Sequence, residues 1–387
     1  MSIRAEALKS KAFLTLKDHY ENREKTLLEK KAKNQMIILT MGCDVPDELI
    51  IAAGAFPVRI HEGGVEDLTK ANEYLEPSFD PVLRRQFEKL VDGTYANLVD
   101  HLVISQSSDA FIRVYFYLRE LYRNHKEYQI PPLTFIDWQW DMHGMRQMRN
   151  ARQVEKFRKE LETWIGHPLT DAEIMHGIEV CNANRQALRE FGALRRSEEC
   201  RVTGTEAQVV IGSSLFMDKE EHTALVKELV EEAKNWPVVN AKRIYATGTY
   251  QSDTEFYGLI EDLGGNVVGE DTDWGDRHYN RDVFVNGDVI LAIASRYFFR
   301  LPSQKKCRIS TSVEMMLSEV ADTKASGVFY YMNKREESAS WNTPAQKEAF
   351  AKIGVATEEL LRQDYPVSKE DREVQKEAVK RLLDNCK

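Results

Sequence analysis

The sequence predicts an α/β fold of two Rossmann-like parallel-sheet lobes, with a helical bridge between them and a helical N-terminal arm. Three observations carry that prediction. The 387 residues exceed what one hydrophobic core usually organises. Short, continuously apolar runs such as Met36-Ile37-Ile38-Leu39-Thr40 have the composition of strands buried on both faces. Each run leads into a polar turn and a helical pattern, with no hairpin signal between units, so the strands should be parallel and sandwiched by helices.

The elements follow in order. Residues 1–34 alternate Lys, Glu and Arg with Leu8, Phe13, Leu16, Leu27 and Leu28, the pattern of helices whose apolar stripe packs on a neighbour; they are expected to form an arm rather than a core. The first lobe is placed at 35–148. It has strands at Met36–Thr40, Leu102–Ser105 and Pro131–Asp137, a helix opened by Pro46-Asp47-Glu48, and another helix running to about Arg123. The bridge is placed at 149–236, where Thr170 and Glu173 form a capping-box pattern. The second lobe, 237–366, has strands at Arg243–Gly248, Asn266–Gly269 and Gly327–Met332, and Ser252 with Glu255 reads as a second capping box. Ser368 and Asp371 open the final helix, 367–387.

Composition narrows the class. A net charge of −9 argues against nucleic acid or anionic lipid as the main partner. No run reaches the roughly 18 apolar residues of a membrane span, and five scattered cysteines make no disulfide framework, so a cytoplasmic protein is expected.

In open parallel sheets, ligands bind beyond the carboxyl ends of the strands. Five polar exits qualify: Gly42–Asp44, Gln106–Asp109, Asp137–His143, Thr247–Ser252 with Thr272–Arg277, and Asn333–Ser338. Candidate substrate contacts from these exits and the segment after Pro57 are Arg59, Ser107, Ser108, Trp138, Thr249, Trp274 and Arg277. Arg59 has the chemistry to hold a phosphate or a thioester carbonyl, and the Thr249 turn offers backbone N–H groups to an anion. Glu62, Asp109 and Glu336 are the candidate acid–base groups. Each has a structural alternative: a salt bridge for Arg59 and Glu62, a domain junction for Trp138 and Trp140, a buried charge pair for Asp273 with Arg277.

Taken in order, these segments resemble the 2-hydroxyacyl-CoA dehydratase and benzoyl-CoA reductase subunit family over nearly the whole chain. The resemblance rests on Val45–Ile50 with Ala52–Pro57, Leu102–Ser105 with Ser108-Asp109-Ala110, and Phe135-Ile136-Asp137. It continues through Phe157–Trp164, Gly166, Asn182 and Arg185, then Gly264–Asp271 with Gly275 and Arg277, and Arg296-Tyr297. It implies a subunit that pairs with a homologous second subunit and holds a CoA thioester near the lobe junction. It also implies a [4Fe-4S] cluster fed with single electrons by an ATP-hydrolysing activator. The family's usual cysteines fall in the stretch here reading Pro77-Ser78-Phe79-Asp80-Pro81, just before Asp109, and around Arg335-Glu336-Glu337, where this chain has none. Cys43 and the Cys307 region near Leu301-Pro302-Ser303 offer only isolated thiols, and cluster iron needs several soft thiolates. No metal site is therefore expected in this chain, and the cluster is expected in the partner subunit. A redox-free acyl-CoA lyase or hydratase, and a non-catalytic subunit, are the alternatives.

Overall fold

The computed structural model describes residues 3–140, 144–300 and 307–387. Two four-stranded parallel sheets organise it. The first contains β1 (Ile37–Met41), β2 (Phe56–Arg59), β3 (His101–Ser105) and β4 (Leu133–Ile136) in the order β2-β1-β3-β4. The second contains β5 (Lys242–Gly248), β6 (Gly265–Glu270), β7 (Gly327–Asn333) and β8 (Ala356–Gln363) in the order β6-β5-β7-β8. The two orders are the same pattern. Leu39 pairs with Val58 on one side and Leu102 on the other, and Ala246 likewise sits between Glu270 and Phe329. Each sheet therefore reverses its winding beside its first strand, between β1 and β3 and between β5 and β7.

The central strands are buried apart from the first residues of β3 and β5, as their apolar runs require. Two of the four edge strands, β2 and β8, carried no such signal. β2 contains Pro57, which an edge tolerates because one side of its backbone needs no ladder partner. β8 reads Ala-Thr-Glu-Glu-Leu-Leu-Arg-Gln, and charge on an edge discourages pairing with another chain.

The N-terminal helices Lys11–Glu21 and Lys25–Ala32 correct the expectation of an arm held apart from the core. Phe13, Leu16 and Tyr20 are buried in the same cluster as Leu39, Leu102, Phe216 and Trp274, so their stripe packs inside the chain. The helix Asp171–Arg196 straps the lobes together. Near its middle Arg185 pairs with Glu48 of the first lobe, and at its end Arg195 reaches Glu270 at 2.7 Å and Asp276 at 2.6 Å in the second. Its N-terminus carries the capping box of Thr170 and Glu173. The second expected box does not form: the helix Glu255–Asp262 starts at Thr254 without a side-chain cap, because the Ser252 hydroxyl is directed to Glu62. No helix among the described residues is long and apolar enough to cross a membrane.

Candidate functional site

The two reversal points face one another across the lobe junction. At the exit of β1 the backbone turns at Gly42 with φ +88°, passing so close to β3 that a Cβ there would lie 2.5 Å from Ser105 Oγ and 2.6 Å from Ser107 Oγ. At the exit of β5, Gly248 does the same with φ +109°, its missing Cβ 2.3 Å from the Tyr331 carbonyl. Only glycine meets both the left-handed backbone and the close approach.

Between these turns lies a cleft. The first lobe contributes Gly42 and Cys43, Arg59 and Ile60, Ser107 and Ser108, with Asp80, Val82, Leu83, Gln86 and Phe111 from flanking helices; the second contributes Thr249, Tyr250, Asp273 and Trp274. Out to its open mouth the cleft holds about 570 Å³ of empty space, while its enclosed depth admits only water-sized groups. Tyr250 stacks on Trp274 at 5.6 Å between centroids, and its hydroxyl accepts from Gln86 at 3.0 Å.

Beneath the cleft floor is a buried charged cluster. Asp44, wholly buried, accepts from Ser107 at 2.9 Å, from Arg277 at 3.3 Å and from Arg300. Arg277 also donates to Asp273 and to Cys43 Sγ, at 2.8 and 2.9 Å. Burial is the largest influence on Asp44 and opposes its charge, but Arg300 and Arg277, with hydrogen bonds from Cys43 and Ser107, outweigh it and hold the carboxyl below its ordinary value. Burial pushes the Cys43 thiol the other way, up to about 12 despite Arg277. Cys43 is thus held as a thiol, hydrogen-bonded by two guanidiniums.

The sequence-predicted residues separate accordingly. Arg59, Ser107, Ser108, Thr249 and Trp274 line the cleft. The Arg59 guanidinium has no hydrogen-bond or ion-pair partner among the described residues, and its Nε is buried without one. The alternative of an Arg59–Glu62 salt bridge is therefore not realised. Glu62 is buried one layer behind the wall, accepting from Ser252 and, at 3.4 Å, from Gln86. Arg277 lies beneath the floor in the charged cluster. Trp138, expected to meet substrate, is fully buried, donates to the Asp44 carbonyl at 2.7 Å and stacks on Tyr297; this corrects it to a junction residue. Asp109 is exposed in the first turn of the helix Asp109–Asn124, and Glu336 accepts from the backbone of Ser338 at 3.1 Å; neither lines the cleft. Asp141 and His143, and Leu301-Pro302-Ser303, lie outside the described residues.

Sequence reasoning missed Asp44 and Arg300 as partners. Asp44 sits in a flagged exit, but Arg300 follows the apolar helix Val289–Phe299 with nothing nearby to mark it as buried. The donors here do not suit a cluster of iron and sulfide. Among the described residues no three His, Cys, Asp or Glu side chains converge as ligands. The cleft's one thiol faces cations, and the remaining polar lining offers hard oxygens.

Comparison with known proteins agrees with this architecture. The (R)-phenyllactyl-CoA dehydratase beta subunit of Clostridium sporogenes is 25% identical over 360 residues, covering 89% of this chain and 91% of that protein. The lactoyl-CoA dehydratase subunit beta of Anaerotignum propionicum is 24% identical over 351 residues, covering 88% and 90%. The (R)-2-hydroxyglutaryl-CoA dehydratase subunit beta of Acidaminococcus fermentans is 26% identical over 212 residues, 54% of each chain. Residues 43–376, nearly the whole two-lobed body from the first strand exit to the last helix, match the family profile, and the chain belongs to the 2-hydroxyglutaryl-CoA dehydratase D-component family.

Proposed function

We propose that this chain is one subunit of a heteromeric 2-hydroxyacyl-CoA dehydratase, shaping a wall of the CoA-thioester pocket while a homologous partner subunit holds a [4Fe-4S] cluster charged by an ATP-dependent activator. The observation that carries the reading is the unpartnered Arg59 guanidinium in a cleft where both sheets present their reversal points. A cation left without a countercharge in a narrow, half-buried place is a ready acceptor of an anion or a polarised carbonyl. The Ser108 and Thr249 hydroxyls line the same cleft and offer further donors. The relatives' names, all dehydratase beta subunits, favour the same chemistry. The cluster would supply single-electron transfer; this chain's share is to bind and orient the thioester.

Glu62 is the acid–base candidate nearest the cleft, one layer behind its wall and hydrogen-bonded to Ser252 and to the lining residue Gln86. A second reading, a subunit that completes the complex without touching substrate, draws support from the narrowness of the cleft.

Anaerobic co-purification with the partner subunit, followed by iron assay and mass spectrometry of bound CoA thioesters, tests the proposal. Iron should follow the partner and not this chain. Arg59→Ala should weaken thioester binding by about 1.5–3 kcal/mol, the range for a hydrogen bond to a charged group, with folding stability unchanged within about 0.5 kcal/mol. Unaltered binding would favour the scaffold reading. Glu62→Gln should lower kcat by about 10²-fold with KM little changed if Glu62 moves a proton, and equal kcat values would remove it.

A further inference from the structure

We infer that Arg23, which does not line the cleft, is a positioning residue for Glu62: it holds Ser252 where the Ser252 hydroxyl fixes the Glu62 carboxylate behind the wall. The inference rests on the thioester reading of the cleft, with Glu62 as its acid–base group, and adds what sets that group in place. Arg23 and Glu24 occupy the corner between the N-terminal helices Lys11–Glu21 and Lys25–Ala32. These two neighbours of opposite charge hold one lobe each. Glu24 takes the first lobe, pairing with His61 at 2.6 Å and with Lys89 at 3.5 Å. Arg23 takes the second, donating to the Ser252 carbonyl and lying 5.0 Å from the centroid of the Trp274 ring. Glu62 stands between the two anchors, next in the chain to His61 and hydrogen-bonded to Ser252.

The contacts close into a circuit that crosses the junction. Ser252 donates to one oxygen of Glu62, and Gln86 donates to the other at 3.4 Å and to the Tyr250 hydroxyl at 3.0 Å. Tyr250 stacks on Trp274, and Trp274 lies under Arg23, which returns to Ser252. Each link in such a network restricts the next. The Ser252 carbonyl also accepts from the Tyr20 hydroxyl at 2.6 Å, so both its lone pairs are used and the residue cannot turn its hydroxyl away cheaply. Arg23 itself donates to the Tyr20 carbonyl at 3.1 Å and lies over the rings of Tyr20, Phe216 and Trp274 at 5.0 to 5.2 Å. A planar guanidinium stacks and donates in two directions at once; an ammonium does not. The corner therefore requires arginine, not merely a positive charge.

The test is steady-state turnover by the purified two-subunit complex with its activator, on whichever of phenyllactyl-CoA, lactoyl-CoA and 2-hydroxyglutaryl-CoA the wild type converts fastest. Calorimetric titration with the same thioester and with CoA alone runs beside it. Arg23→Lys should lower kcat about tenfold while the thioester Kd moves by less than about threefold, the signature of a misplaced group and not of lost binding. Tyr20→Phe, which removes one donor to the Ser252 carbonyl and no charge, should lower kcat in the same sense by less. The decisive variant combines Arg23→Lys with Glu62→Gln. Its kcat should equal that of Glu62→Gln alone, because a residue that acts through Glu62 then has nothing left to place. If Arg23→Lys costs the complex its assembly, Tyr20→Phe with and without Glu62→Gln makes the same comparison. An unchanged kcat in Arg23→Lys, losses that multiply in the double variant, or turnover that Glu62→Gln leaves untouched overturns the inference and leaves the thioester site standing. No thioester binding more tightly than CoA overturns both.

Discussion

The two lobes repeat one strand order and one glycine turn, yet what each places at its reversal point differs in kind. Beyond β1 the first lobe buries an anion, Asp44, with no cation from its own sheet to balance it; the charge is met by Arg277 and Arg300 from the far side of the junction. At its Gly248 turn the second lobe uses neutral groups, Thr249 Oγ1 accepting from the Asn333 backbone N–H at 3.1 Å and the Thr249 N–H donating to Tyr331 at 2.7 Å, while the buried carboxylate beside it, Asp271, accepts from its own lobe's Thr247 at 3.1 Å. The same topology thus closes one turn upon itself and leaves the other to be completed by its neighbour. A clamp between lobes follows, because a buried carboxylate and two buried guanidiniums are tolerable only together.

The sharpest way to break this comparison is Asp44→Asn. It keeps the shape but strips Arg300 and Arg277 of a shared countercharge, with Arg277 retaining Asp273. A loss of about 3–5 kcal/mol in denaturant unfolding is expected, the range for halving a buried pair. The pH dependence has a definite sign. Asp44 titrates below its ordinary 3.8 in the folded chain, so its contribution is complete above that value and fades as the pH falls through the depressed one. The variant should therefore lose part of the acid-induced drop in stability. An unchanged unfolding midpoint would mean that the clamp holds nothing.

The second lobe should fail at the opposite end of the pH scale. Glu261, on the helix Glu255–Asp262, is pushed up to about 8, first by burial, against the Thr205 hydrogen bonds and with the Glu206 carboxylate adding to the rise. A raised folded value means the stability it allows is complete below about 4.5 and is lost as the pH rises towards 8. Glu261→Gln should raise the melting temperature by about 1–2 °C or more at pH 8.5 and by less at pH 5, the scale of a change of about 1 kcal/mol or more in a chain of this length. A gain independent of pH would show that Glu261 is ionised in the folded state at both values and that its carboxyl is not raised.

What the sequence disclosed follows the same physical division. Strands with a continuous apolar stretch announced themselves; β1, β3, β4, β5, β6 and β7 were legible for that reason. β2 and β8 were not, since an edge may carry Pro57 or the Glu358-Glu359 pair without cost. Ser252 misled because a serine three residues before a glutamate is a helix cap only if nothing else needs its hydroxyl, and here Glu62 does. The cleft residues Arg59, Ser107, Ser108, Thr249 and Trp274 came from strand exits, where position alone carries information. Trp138 came from the same rule and lay deeper than the rule can tell. Arg300 was invisible: its meaning depends on Asp44, 256 positions away.

The smallest effect tests the neutral turn. Thr249→Val removes the one side-chain acceptor of the buried Asn333 N–H and leaves that donor unpaired, so about 1–3 kcal/mol should be lost, towards the lower end because the Thr249 N–H keeps its own bond to Tyr331. Thr249→Ser retains the oxygen and should recover most of the loss. Unlike Asp44→Asn, neither variant changes a charge, so the difference between Val and Ser should be the same at pH 5 and pH 8.5. If Thr249→Val instead matched Asp44→Asn in size, the neutral turn would be carrying as much of the junction as the charged one, and the contrast between the lobes would reduce to their shared glycine turns.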